Sequence, residues 1–138
     1  MNLLQHLLPD SSVLALKHWK LDTATQQFVI TVESTQVIAH CPLCQAPTGR
    51  VHSRYQRTLR DLPLVQFSLT LLLEVCKFFC LNDGCQRRIF TERLPSIVAP
   101  WTRRTARYTE HLIAIGLELG GAAAARLSYT NSLDTGYR

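Results

Sequence analysis

This 138-residue chain has no apolar run near the roughly 18 residues that a membrane-spanning helix needs. Its longest candidate is broken by Gln66, Ser68, Thr70 and Glu74. The N-terminus, Met1 to Leu8, lacks the positive region and small-residue cleavage site of a secretory leader. A cytoplasmic location is therefore expected. Glycine-rich phosphate loops, a Ser/His/Asp pattern, internal repeats and low-complexity tracts are also missing, which argues against nucleotide cradles, triad hydrolases and solenoids. Charged residues make up only 18% of the chain and apolar ones 46%, a globular balance rather than a disordered one. Lysine is scarce where charge is dense. Beyond residue 48 there are twelve arginines and one lysine, Lys77.

That arginine is unevenly placed. Residues 1–48 carry a net charge of −1, whereas residues 49–138 carry +6. Arginine presents a planar, multi-donor fork suited to phosphate and to guanine edges. A solvated cationic surface is the simpler explanation, and charge alone does not exclude it.

Two cysteine pairs stand out, Cys41-Pro42-Leu43-Cys44 and Cys80-Leu81-Asn82-Asp83-Gly84-Cys85, with 35 residues between them. Each pair closes a tight turn that aims two sulfurs at one point, and two such turns supply the soft ligands that tetrahedral Zn²⁺ prefers. In a reducing compartment paired cysteines are metal ligands more often than disulfides. A redox pair would need a thioredoxin-like βαβ context that is missing, while a disulfide or a metal cluster stays open. His40 and His52 are alternative ligands, but four cysteines already complete the set. With no open coordination position, the zinc would be structural, and its binding would be folding free energy.

Around these pairs the pattern is β-rich. Residues 3–8 fit one apolar helical turn ahead of Pro9. Residues 13–21 and 27–33 read as strands joined by a loop at 22–25, and residues 36–40 as a short strand entering the first cysteine turn. Residues 50–59 are polar but extended, and Asp61-Leu62-Pro63 interrupts them. The clearest period-two signal spans 65–75, with Val65, Phe67, Leu69, Leu71, Leu73 and Val75 on one face, which would pack against strands 13–33. Cys76 falls on a strand face with Phe78 and reads as a small core residue. Residues 89–100 look irregular.

Thr102 is the expected cap of a helix over 103–119, with Arg103, Arg104 and Arg107 crowding its first turns against the macrodipole. Gly120-Gly121 ends it, residues 122–127 begin a second helix, and Asn131-Ser132 reads as a further cap. This is a helix-turn-helix outline, left incomplete. The expected fold is α+β: a β-rich, zinc-ribbon-like module over 1–95, with knuckles at 41–44 and 80–85, followed by a helical segment over 96–138.

The cationic residues form the candidate DNA-binding set. Arg50, His52, Arg54, Tyr55, Arg57 and Arg60 lie along the hairpin, Arg87 and Arg88 beyond the second knuckle, and Arg103, Arg104 and Arg107 at the helix start. On an extended strand Arg54 shares a face with Gln56 and Thr58, and Tyr55 with Arg57 and Leu59. Such a composition suits a phosphate-tracking edge, or equally an edge strand blunted by charge. Asp61, Asp83 and Glu92 are an imaginable two-metal carboxylate site, but each has a simpler local explanation.

The ordered motifs Cys41-Pro42-Leu43-Cys44, residues 51–63, Cys80 and Cys85, residues 87–95, Arg104-Thr105 and Gly120-Gly121 with Ala125-Arg126-Leu127 resemble the ISL-three family of bacterial insertion-sequence transposases. The resemblance implies a zinc-binding N-terminal domain and a helix-turn-helix, both used on transposon-end DNA. Family members continue into a catalytic domain that this chain stops before. Residues 128–138 match the second helix and turn only loosely, Ser132, Thr135 and Arg138 best. The implied function is duplex DNA binding without strand-transfer activity, in the nucleoid. The alternative is an interaction module that forms a homodimer or pairs with full-length transposase through the apolar face of strand 65–75.

Overall fold

The computed structural model describes residues 3–122 and 126. In chain order these form α1 (Leu3–Leu7), β1 (Leu14–Asp22), β2 (Gln27–Ser34), β3 (Ala39–His40), β4 (Pro47–Thr48), β5 (Val51–Leu64), β6 (Phe67–Phe79), β7 (Ile89–Thr91) and α2 (Ala106–Leu119). The larger sheet has the order β1-β2-β6-β5, with β7 pairing the end of β6, and β3 and β4 form a separate small ladder. Among the described strands only β2 and β6 run parallel, and the other strand pairings are antiparallel. The described residues are thus β-rich, with the two helices α1 and α2, as the alternation and scarcity of helical periods imply.

Local chemistry explains the first hairpin. The Asp22 carboxylate accepts the Ala24 and Thr25 amides at 3.0 and 3.3 Å, and Gln26 completes the turn in left-handed backbone at φ 54°. At the β5–β6 hairpin the tip is Val65-Gln66. Val65 has φ 56° and is 86% exposed, so it leaves the buried face on which period two had placed it. Turn geometry overrides alternation there.

The rest of β6 keeps its period and then reverses its burial. Leu69, Leu71, Leu73 and Val75 are buried in the larger core with Phe28, Ile30, Val32 and Leu59. Beyond Val75 the buried residue is Phe78, on the opposite face, in a second cluster with Ala39, Cys41 and Phe90. Cys76 packs against this second cluster, as its register suggested. One strand therefore feeds two cores from its two faces.

The apolar face of β6 packs with strands 13–33 as expected, in one core with Leu14, Phe28, Ile30 and Val32, and β6 also pairs edge to edge with β2 in the same sheet. The shared apolar face is covered by Leu8, Leu94, Ile97 and Val98, so residues on both sides of position 95 share one core. On β6 the apolar side chains of Leu69, Leu71, Leu73 and Val75 are buried within the chain.

Three further expectations change. β5 runs to Leu64, and the Asp61-Leu62-Pro63 break is a register slip inside the strand rather than its end. Residues 89–91, expected to be irregular, add β7 to the sheet. The helix begins at Ala106, not Arg103. Thr105 is its N-cap, its hydroxyl accepting from the Tyr108 amide, while the Thr102 hydroxyl donates to the Ala99 carbonyl. Arg103 and Arg104 therefore precede the helix, where Arg60 and Arg104 form a parallel bridge that closes this part of the β5 edge. At the other end Gly120 caps α2 at φ 75°, as the glycine pair implied. Of the expected second helix only Ala122 and Arg126 are described, both helical, and the cap at Asn131-Ser132 lies outside the described residues.

Candidate metal centre and nucleic-acid face

The first knuckle is a turn closed by backbone. The Gln45 amide donates to the Cys41 carbonyl at 2.8 Å and the Cys41 amide to the Ala46 carbonyl at 3.1 Å, with Gln45 in left-handed backbone. β3 and β4 flank this turn. The second knuckle joins the end of β6 to β7. Its Asn82 side chain accepts the Gly84 amide at 3.0 Å, its carbonyl accepts the Cys85 amide at 3.0 Å, and the Arg87 amide points at Cys85 Sγ at 3.4 Å.

These turns bring all four sulfurs within 4.8 Å of one another. Cys41 and Cys85 Sγ are 3.9 Å apart, and Cys44 and Cys80 Sγ 3.6 Å. Zn–S bonds of about 2.3 Å in a tetrahedron place sulfurs about 3.8 Å apart, so the quartet fits zinc. A disulfide would need about 2.05 Å, and all five cysteines are free. The Ala46 backbone, with the Asn82 side chain, lowers Cys44 to about 6. At Cys80 the Asn82 backbone favours the thiolate, but burial and the neighbouring sulfurs outweigh it and push the thiol up to about 12. Four sulfurs this close ionise together only around a cation. The centre binds structural Zn²⁺, which holds sulfur as thiolate without redox chemistry. No histidine joins the quartet: His40 is exposed, and His52 sits 5.0 Å edge-on to the Phe79 ring.

The cationic residues divide between the two sheet faces. Cross-strand register puts Tyr55, Arg57, Leu59 and Asp61 opposite Val75, Leu73, Leu71 and Leu69, on the side of the larger core. Arg54, Gln56, Thr58 and Arg60 face the other way. The expected face-sharing along β5 holds, but its arginines do not form one row. On the core side, beyond the apolar residues, Arg50 stacks over Phe79 at 5.0 Å and Lys77 over Tyr55 at 5.2 Å. Arg57 Nη2 donates to the Thr102 carbonyl at 2.7 Å, and Arg87 shares a pocket with Tyr55 and Arg57. Arg88 and Arg103 are exposed, and Arg104 lies over the Tyr108 ring at 5.7 Å.

Arg107 is placed otherwise than a phosphate contact would be. Its Nε and Nη2 reach both carboxylate oxygens of buried Asp61, at 2.9 and 2.6 Å, and Nη1 donates to the Leu7 carbonyl at 2.9 Å. Asp61 also accepts the Thr105 hydroxyl at 2.7 Å. A buried carboxylate needs a charged partner, and this one takes Arg107 across 46 residues. Thus α2, β5 and α1 are clamped together. The carboxylates form no second metal site among the described residues. Glu92 is buried, with the Cys76 amide and Ser34 hydroxyl donating to it at 2.8 Å each, and Asp83 is exposed. Burial raises the Glu92 pKa, against the pull of the Cys76 amide, the Ser34 hydroxyl and Arg54.

Sequence reasoning missed Trp101. It is 92% exposed at φ 67°, beside Arg57 and Arg87. Its only sequence signal is the preceding Pro100, which marks a turn.

Residues 39–85 match the family described as the zinc-finger of transposase IS204/IS1001/IS1096/IS1165. The matched span starts in β3 and ends at the last cysteine of the quartet, and it supports the ISL-three resemblance. No curated protein and no solved structure matches the chain. Among the described residues no helix is long and apolar enough to cross a membrane.

Proposed function

We propose that this chain binds double-stranded DNA as the end-recognition region of an insertion-sequence transposase, with zinc holding the binding face in shape. The observation that carries this reading is the strip on the core side of the sheet, where cations and rings alternate: Arg50 and His52 on Phe79, Lys77 on Tyr55, then Arg57 and Arg87. Stacked guanidinium and ammonium groups are held in place before a phosphate arrives, so less side-chain entropy is lost on binding. Arg54, Arg88 and Arg103 would add contacts from the other side and the flanking loops. α2 would be the first helix of a helix-turn-helix that continues past Gly120.

Binding through several phosphate contacts predicts an apparent affinity that falls steeply with salt, by a log–log slope of about −0.9 per contact. The test is a salt titration on duplexes carrying candidate transposon ends. A salt-independent affinity, or no binding at low salt, would sink the proposal.

A second reading, pairing with another transposase chain, draws on α2. Ile113, Leu117 and Leu119 are exposed there, Leu117 at 83%. Light scattering separates the two: a DNA-free monomer at high concentration argues against pairing.

A further inference from the structure

Ala99-Pro100-Trp101-Thr102 is a four-residue turn, closed by the Thr102 amide and hydroxyl on the Ala99 carbonyl at 3.4 and 2.9 Å. Proline occupies its second position and a left-handed residue, φ 67°, its third. Turns of that form reserve the third position for glycine or asparagine, and a bulky side chain there costs of the order of 1–2 kcal/mol. This chain instead puts its largest side chain there and leaves it 92% exposed. Neither burial nor turn chemistry accounts for it. Strain kept at an exposed aromatic points to a ligand.

The surroundings identify the ligand's chemistry. Trp101 rims a pocket of about 260 Å³ whose other walls include Tyr55, Arg57, Arg87 and Arg93. Arg57 ties the turn to β5 through the Thr102 carbonyl at 2.7 Å, so the ring's position is set by the sheet. The volume is below the roughly 300–1,000 Å³ of sites for drug-sized molecules, which suits one planar ring. Two aromatic rings beside three guanidinium groups match a base with its phosphates, because every base has a π-face and arginine serves both parts.

We infer that this pocket receives a single unstacked nucleobase, with Trp101 as its stacking platform, so that the protein prefers DNA carrying an unpaired base over a fully paired duplex. The inference rests on the DNA-binding reading but goes beyond it, since phosphate contacts alone do not distinguish the two DNAs.

The experiment compares a blunt duplex with the same duplex bearing one bulged nucleotide, at fixed salt, on the zinc-loaded chain. Stacking predicts roughly tenfold tighter binding of the bulged DNA. In a Trp19→Phe background, which leaves Trp101 as the sole tryptophan, fluorescence should be quenched by the bulged DNA and much less by the blunt one. Trp101→Gly suits the backbone and should keep the fold, lose the preference and retain blunt-duplex affinity, while Trp101→Phe should restore most of the preference. Equal affinity for the two DNAs in the wild type, or a preference that survives Trp101→Gly, overturns the inference while leaving duplex binding intact. No binding of either DNA overturns the DNA-binding reading as well.

Discussion

The two clusters fed by β6 are held together by different means. The larger contains thirteen buried residues from strands and from the loops that cover them, and apolar burial accounts for its cohesion. The smaller contains four, Ala39, Cys41, Phe78 and Phe90, with the other cysteines packed around them. Fully burying a large apolar side chain contributes about 1.5–3 kcal/mol, so four residues, one of them alanine, fall short of ordering two knuckles and a small ladder. A structural zinc site contributes about 10–16 kcal/mol in small peptides at neutral pH. Metal stands where area is lacking.

The strongest challenge to this contrast is to remove the metal. Cys41→Ser, or chelation, should abolish zinc stoichiometry and hydrogen-exchange protection across 39–48 and 78–91, because the lost coordination exceeds what the small cluster supplies. Amides of Ile30, Leu71 and Leu73 should remain protected. If both regions lose protection together, the two cores are one cooperative unit and the contrast fails.

Next in size is the larger core itself. Leu71→Ala should cost about 2–5 kcal/mol in denaturant unfolding, with zinc still bound in the native state. Asp61→Asn should follow, at about 3 kcal/mol, since Arg107 loses its buried charge partner but keeps some exposure to water. Exchange in the first turns of α2 should rise with it. The same variant probes whether α2 belongs to the larger core or only leans on it. A loss below about 0.5 kcal/mol, the level of a surface change, would mean that the clamp contributes little.

The smallest effect is titration at the seam between the clusters. Glu92 bonds to β2 through Ser34 and to β6 through the Cys76 amide, and burial raises its pKa above the ordinary 4.5. A raised acid is most favourable to the fold while protonated. Its contribution is complete below about 4.5 and declines as pH rises through the folded-state value. Wild type should therefore lose stability relative to Glu92→Gln across that window. A flat difference between the two would remove Glu92 as a titrating link.

Much of this arrangement was legible in the residues. Alternation located β1, β2 and most of β6, and spacing alone found the zinc ligands, because both signals are local. What stayed hidden depends on distant partners. Thr102 is the expected cap, but the role falls to Thr105, whose hydroxyl both caps Tyr108 and reaches Asp61. Asp61 reads locally as a turn residue and Arg107 as a phosphate contact, because nothing within a few residues shows that they meet. The division of the β5 arginines between two faces follows from period two. Which face lies on the larger core needs the register against β6. Val65 and Trp101 escaped for another reason: both occupy left-handed backbone that their residue types rarely adopt.

The parallel pairing of β2 with β6 carries a kinetic consequence. Antiparallel neighbours meet through short turns, but β2 and β6 meet only after the whole of 35–66, with the first knuckle and β5, has been looped out between them. Closing such a loop is entropically opposed and slows folding of a chain this size. Zinc ties Cys41 and Cys44, just after β2, to Cys80 and Cys85, just after β6, and so holds the C-terminal ends of the two strands near each other. Early metal binding should make refolding of the larger, metal-free core faster, although no residue of that core touches the ion.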